Sequence, residues 1–238
     1  MNNFWDTTAK EIDSWVNQYG HDRMLECPQI GQTFYAAKPE NLEEKIQYLN
    51  EKRPGWRNYI WEHYYGNPQF SSDRMSNNLI QQFYHLTLFE ELSGKLVGYF
   101  NNVFEFGGGF GAMARLFHLL QYAGTYILYD LSQISKLQEN YLLNTLPSYC
   151  KHVCTSDWKI ASLPRVYDLY IALFSLAETD LNTRDTYLLP SKNYLISFGN
   201  VFNGISNVSY FEELQNKLKS HLWKSHNIGN ARYLIGTS

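Results

Sequence analysis

Cysteine is scarce in this chain: three in 238 residues, at Cys27, Cys150 and Cys154. An odd and small number excludes a disulfide-built secreted scaffold and fits a reducing compartment, so a cytoplasmic protein is expected. Long apolar runs are missing too. None approaches the ~20 residues that span a bilayer, and the opening MNNFWDTTAKEIDSW is polar and acidic, unlike a signal peptide. Positive charge is not in excess: 20 Lys and Arg stand against 23 Asp and Glu. That balance leaves no basic footprint, and a nucleic-acid partner is not expected. The densest basic stretch, 217–224, reads as the solvated face of a late helix. No internal repeat or low-complexity segment is visible.

What the chain does have is aromatic: 16% Phe, Trp and Tyr, with 19 tyrosines. Such residues fill cores, and they also build pockets that stack and hydrogen-bond. The stretch Cys150-Lys-His152-Val-Cys154 puts three metal-binding residue types on one face of a strand. With no second ligand pair elsewhere, it reads as a structural strand and no metal is expected.

Two regions separate. Residues 1–75 hold helical fragments broken by prolines and glycines and are rich in Trp and Tyr, as a cap would be. Residues 76–238 begin with a helix over 77–93 that has a broad apolar face, stopped by Gly94. Strands and helices then alternate: strands at 103–106, 125–129, 152–155, 169–174 and 194–198, and helices at 110–122, 131–146 and 183–189. A helix opened by the capping box Ser209–Glu212 runs to about Trp223, and Arg232–Ile235 is the last strand. This alternation predicts an α/β fold, a Rossmann-like, mostly parallel sheet with helices on both faces.

The stretch VFEFGGGFGAMARL joins the first of these strands to its helix. Gly107, Gly109 and Gly111 let a ligand approach the backbone, and the helix start offers free N–H groups. Asp130 ends the next strand, 19 residues beyond Gly111. An acid about 20 residues past such a loop grips a ribose diol. A nucleoside-containing cofactor is therefore expected. The spacing Gly107-x-Gly109-x-x-Ala112 also fits a nicotinamide loop, so an NAD(P)-dependent oxidoreductase is one reading. Glu105, two places before the first glycine, favours another, because a carboxylate there would repel a pyrophosphate.

The pattern acid-apolar-GxGxG resembles motif I of the class I S-adenosylmethionine-dependent methyltransferases. Together with TYILYDLSQISKLQENYLL, DLYIALFSLAETD and the upstream NNLIQQFYHLTLFEELSG, it is similar to a bacterial family of sugar O-methyltransferases associated with surface-polysaccharide synthesis. The resemblance covers roughly 77–200. It implies S-adenosylmethionine as cofactor and a sugar or glycan as acceptor. Carried over, Glu105, Gly107, Gly108, Gly109 and Gly111 match the cofactor loop. Asp130 matches the ribose acid, Leu131 lies beside the adenine, Ser156 and Asp157 meet the adenine amino group, and Phe174 and Ser175 lie beside the transferred methyl. One departure stands out. Such enzymes end in an antiparallel hairpin, and here only one of its two strands is legible.

A sugar hydroxyl needs a general base. Glu178, after the fourth strand, is the first candidate, with a dipole-stabilising charge on the next helix as the structural alternative. His85 on the 77–93 helix is the second, the alternative being a satisfied buried histidine. Tyr84, Asn200 and Asn203 are candidates for sugar contacts, although core packing and turn chemistry explain them equally. No proline-rich motif follows the fourth strand, which argues against an amino-group nucleic-acid methyltransferase. A methyltransferase-like fold kept only as a binding subunit is the non-enzymatic alternative.

Overall fold

The computed structural model describes residues 3–35, 40–71, 74–164 and 166–238. Three helices come first: α1 (Asn3–Tyr19), α2 (Pro28–Thr33) and α3 (Leu42–Lys52). Helix α4 (Asn77–Ser93) follows and has the bounds its apolar pattern predicts. Ser76 caps its start, accepting from the Leu79 N–H at 3.0 Å, and Gly94 ends it in a left-handed conformation.

The predicted alternation then unfolds as β1 (Asn102–Phe106), α5 (Ala112–Leu119), β2 (Thr125–Tyr129), α6 (Ser132–Thr145), β3 (Lys151–Thr155), α7 (Trp158–Ala161), β4 (Leu169–Leu173), α8 (Leu181–Tyr187) and β5 (Asn193–Phe198). A small hairpin, β6 (Val201–Phe202) and β7 (Ile205–Ser206), leads to α9 (Asn207–Lys217), β8 (Leu222–Ile228) and β9 (Ala231–Thr237). The seven-stranded sheet has the order β3-β2-β1-β4-β5-β9-β8. Its first five strands are parallel, and β9 is antiparallel to both β5 and β8.

The strands are apolar because both faces are covered. Val103, Leu169 and Ile171 point into a core shared with α4–α6 and with the N-terminal helices, through Ile12, Ile30 and Leu49. Their neighbours Phe104, Tyr170 and Ala172 point into a second core with Phe211 and Leu214 of α9. Each large apolar side chain buried this way stabilises the fold by roughly 1.5–3 kcal/mol.

The C-terminal segment corrects the sequence reading. The last helix ends at Lys217, not near Trp223, and its cap is Ser206, whose Oγ accepts from the Ser209 N–H at 3.3 Å. The closing hairpin is complete. Leu218 and Leu222 sit at helical spacing, which hid β8, but Leu222 is solvent-exposed on an edge strand. Trp223 instead stacks on Tyr194, with ring centroids 5.6 Å apart. No helix among the described residues is long and apolar enough to cross a membrane.

Candidate functional site

The sheet changes winding direction between β1 and β4, and the glycine loop lies at that point, at the carboxyl ends of the strands. Gly107 has φ +68°, and a Cβ there would come 2.4 Å from Ser175 Cβ. A Cβ on Gly108 would come 2.7 Å from Glu105 Oε2. The loop therefore has no room for side chains and presents bare backbone. Gly111 does not line the cleft; it caps α5 in a left-handed conformation, leaving the first N–H groups of that helix free of intrahelical partners. Across the loop, the Ser175 hydroxyl donates to the Phe106 carbonyl. Phe174 is held at φ +64°, a region non-glycine residues seldom occupy.

Two carboxyls flank the loop. Glu105, at the end of β1, is buried and accepts from the Tyr126 hydroxyl at 2.9 Å. Burial pushes its carboxyl up to about 8; the Tyr126 bond opposes this and the neighbouring Asp130 adds to it. Asp130 accepts from the Leu131 N–H at 2.8 Å and from Gln138 Nε2 at 3.0 Å. Burial raises it to about 7 against those bonds. The same Gln138 amide donates to the Gly109 carbonyl at 2.9 Å, tying loop to acid.

These groups line one cleft of about 410 Å³. Gly107, Gly108, Gly109, Glu105, Asp130, Leu131, Phe174, Ser175, Glu178 and His85 all face it. The N-terminal helices complete it. Trp5 and Phe34 stack nearly parallel, 5.9 Å apart, and a Cβ on Gly109 would come 3.1 Å from Phe34 Cβ. Phe106, Tyr129 and Tyr187 form an aromatic wall, with the two tyrosine rings 5.0 Å apart.

Glu178 sits in a 3-10 turn, Leu176–Glu178, and burial raises its carboxyl to about 7. The helix-capping task falls to Asp180, which accepts from the Thr183 N–H at 2.9 Å and from its hydroxyl at 2.8 Å. Beneath the turn, Arg184 is fully buried and donates to the carbonyls of Ala177 at 2.5 Å and Thr179 at 3.1 Å. His85 is 1% exposed, and burial, with Lys45 nearby, pushes it down to about 3. It is therefore neutral at physiological pH. Its Nδ1 shares a 2.9 Å hydrogen bond with the Tyr233 hydroxyl.

Other expected residues lie elsewhere. Ser156 and Asp157 line a separate, open groove beside α6, and Asp157 caps α7 through the Lys159 N–H. Tyr84 is buried outside the cleft, its hydroxyl 3.0 Å from His226 Nε2. Asn200 accepts from Arg232 Nε at 2.6 Å, and Asn203 takes the left-handed place in the β6–β7 turn. Both are exposed. Turn and strand chemistry account for them. The residues that sequence reasoning missed are Trp5, Phe34, Gln81, Gln82, Gln138 and Arg184. Only Gln138 left a trace, within the helix that opens directly after Asp130.

No protein-family model matches the sequence, and no curated protein matches it either. Solved structures do resemble the fold. The 16S rRNA methylase ArmA is 17% identical with a TM-score of 0.48, over 85% of this chain and 100% of that one. Magnesium protoporphyrin IX methyltransferase from Synechocystis PCC 6803, with bound SAM, is 14% identical at TM-score 0.48, over 84% of this chain and 99% of that one. The glycopeptide N-methyltransferase MtfA is 12% identical at 0.46, over 71% and 92%. Their acceptors differ from one another, and at this distance none carries over to this chain.

Proposed function

We propose that this protein is an S-adenosylmethionine-dependent methyltransferase that methylates a sugar hydroxyl. The observation that carries the reading is the set of carboxyl groups gathered in the cleft. Five carboxyl groups, Asp6, Glu105, Asp130, Glu178 and Asp180, line a cavity floored by the glycine loop. Burial leaves Glu105, Asp130 and Glu178 holding protons near neutral pH in the ligand-free cleft; a ligand bearing sulfonium and ammonium charges favours their ionised forms and pairs with them, whereas the pyrophosphate of a dinucleotide gains nothing from them. The bare backbone at Gly107 and Gly108 fits the close approach of such a group, and Asp130 stands where a ribose diol would pair with it.

The bound cofactor supplies an electrophilic methyl group. The rest falls to the chain. The glycine loop and Asp130 orient the nucleoside. Glu178 accepts the proton of the acceptor hydroxyl, and a carboxyl near 7 suits a base at neutral pH. His85, neutral and fixed through Tyr233, positions the acceptor by hydrogen bonding. Residues 1–75 act as a cap whose Trp5–Phe34 stack excludes water. The sugar assignment draws support from the sequence resemblance and from the aromatic and amide walls of the cleft.

Calorimetric titration with S-adenosylmethionine, S-adenosylhomocysteine and NADPH tests the reading. Both sulfur nucleosides should bind to the wild type and at least tenfold more weakly to Asp130→Ala. Binding of NADPH alone would reassign the loop to a dinucleotide.

A further inference from the structure

Helix α4 turns consecutive amides, Gln81 and Gln82, toward the cleft beside His85. His85 neighbours both on the helix surface, at i+4 from Gln81 and i+3 from Gln82. They differ in what they can offer. The Gln81 carbonyl oxygen already accepts from Lys45 Nζ at 3.0 Å, which leaves its NH₂ group as a donor. Gln82 Oε1 is shielded from solvent and has no protein donor. A buried acceptor without a partner is costly unless a ligand satisfies it.

We infer that Gln81, Gln82 and His85 form the acceptor subsite, and that it takes an uncharged polyhydroxyl group that donates a hydrogen bond to Gln82 Oε1. This rests on the methyltransferase reading above. A hydroxyl both donates and accepts, so it satisfies Gln82 and Gln81 together. A phosphate accepts only and leaves Gln82 Oε1 unpaired. At about pH 8, where Asp130 and Glu178 are ionised as Asp180 is, these cleft carboxyls oppose an anionic acceptor as well. Gln82 thus takes a hydroxyl and not a phosphate oxygen, and the cleft carboxyls set the preference for a free or glycan-borne neutral sugar over its phosphate or nucleotide-linked form. Gln82 sets the demand for a hydroxyl donor. Polar sites built for a hydroxyl reject analogues that lack the matching group far more strongly than apolar sites do.

Saturation-transfer NMR at about pH 8 on the full chain loaded with S-adenosylhomocysteine provides the test. The neutral probes are the methyl α-glycosides of glucose, galactose, mannose and rhamnose. Glucose 1-phosphate and uridine diphosphate glucose are the charged counterparts. At least one neutral glycoside should bind, more tightly than either charged probe. Its affinity should fall about tenfold in Gln82→Leu, while S-adenosylhomocysteine binds that variant with unchanged affinity, which also shows it is folded. Gln82→Glu keeps the acceptor oxygen and should keep most of the glycoside affinity. Three outcomes each overturn the inference: tighter binding of the charged probes, no signal from any neutral glycoside, or a glycoside affinity in folded Gln82→Leu equal to that of the wild type. Failure of the wild type to bind S-adenosylhomocysteine, read in the first titration, would instead remove the methyltransferase reading itself.

Discussion

Gln138 Nε2 lies 3.0 Å from Asp130 Oδ2 and holds that carboxyl at the mouth of the glycine loop. One fully buried amide thus orients both the acid and, through the Gly109 carbonyl, the loop. Replacing it with methionine keeps the volume and removes both donations. The variant should lose about 1–2 kcal/mol of stability and bind S-adenosylhomocysteine roughly tenfold more weakly. Urea midpoints and calorimetry read the two effects separately. Full cofactor affinity in Gln138→Met would dismiss the amide as packing.

The proton-accepting role proposed for Glu178 sets a pH profile. A carboxyl raised to about 7 is protonated, and idle as a base, below that value. Log kcat/KM should therefore climb with pH and level off above about 7. Glu178→Gln should lower the plateau by roughly 10²–10⁴-fold and erase the rising limb. A variant that keeps the limb would move the base elsewhere.

Glu105 governs how stability responds to pH in the ligand-free protein. Its carboxyl is raised from 4.5 to about 8 by burial, so between those values the native state holds a proton the unfolded chain has released. Unfolding then releases a proton, and stability falls as pH rises through this window, flattening above about 8. Asp130 and Glu178 act in the same direction up to about 7. Glu105→Gln should flatten part of the slope in urea midpoints measured across pH 5–9. A slope identical to wild type would refute the assignment.

The two glycines Gly107 and Gly31 should behave oppositely. Alanine at Gly107 meets both a left-handed backbone and Ser175, and should destabilise by about 2–4 kcal/mol. Gly31 lies within α2 with no neighbour in reach of an added Cβ. Gly31→Ala should be stabilising by about 0.5–1 kcal/mol. Thermal unfolding of both variants compares them directly.

Arg184 supports the turn that carries Glu178 by donating to two of its carbonyls, while its guanidinium lies 5.0 Å from the Tyr210 ring centroid. Arg184→Met should cut kcat by roughly ten- to a hundredfold and leave the affinity for S-adenosylhomocysteine near wild type. Equal losses in both would point to general collapse of the site.

The legible parts of this chain were those with local signals. The parallel strands read as continuous apolar runs because both their faces are covered, as Leu169–Leu173 shows. Helix α4 was readable to the residue because Gly94 closes a broad apolar face. Glu105, the glycines and Asp130 form a motif whose spacing a strand, loop and helix dictate. Strand β8 escaped because an edge strand keeps little apolar alternation, and Leu222 happened to continue a helical spacing. Trp5 and Phe34 escaped for a different reason. They reach the cleft only because the N-terminal helices fold over it, and no periodicity marks a contact with a loop some 75 to 105 residues away. Gln82 escaped as well, because the Gln81–Gln82 pair reads as the polar edge of the helix until the unpartnered Gln82 acceptor is seen.

Tyr233 belongs to β9, which slots between β5 and β8 although both precede it in the sequence. On a ribosome, every parallel strand, the glycine loop and helix α4 emerge before the residue that fixes His85. A nascent chain can bury most of its core and still lack a finished cleft. Assembly of the sheet's antiparallel end is thus also the step that brings Tyr233 to His85, and on the proposed reading a chain halted before it would be folded in its greater part without a finished acceptor site.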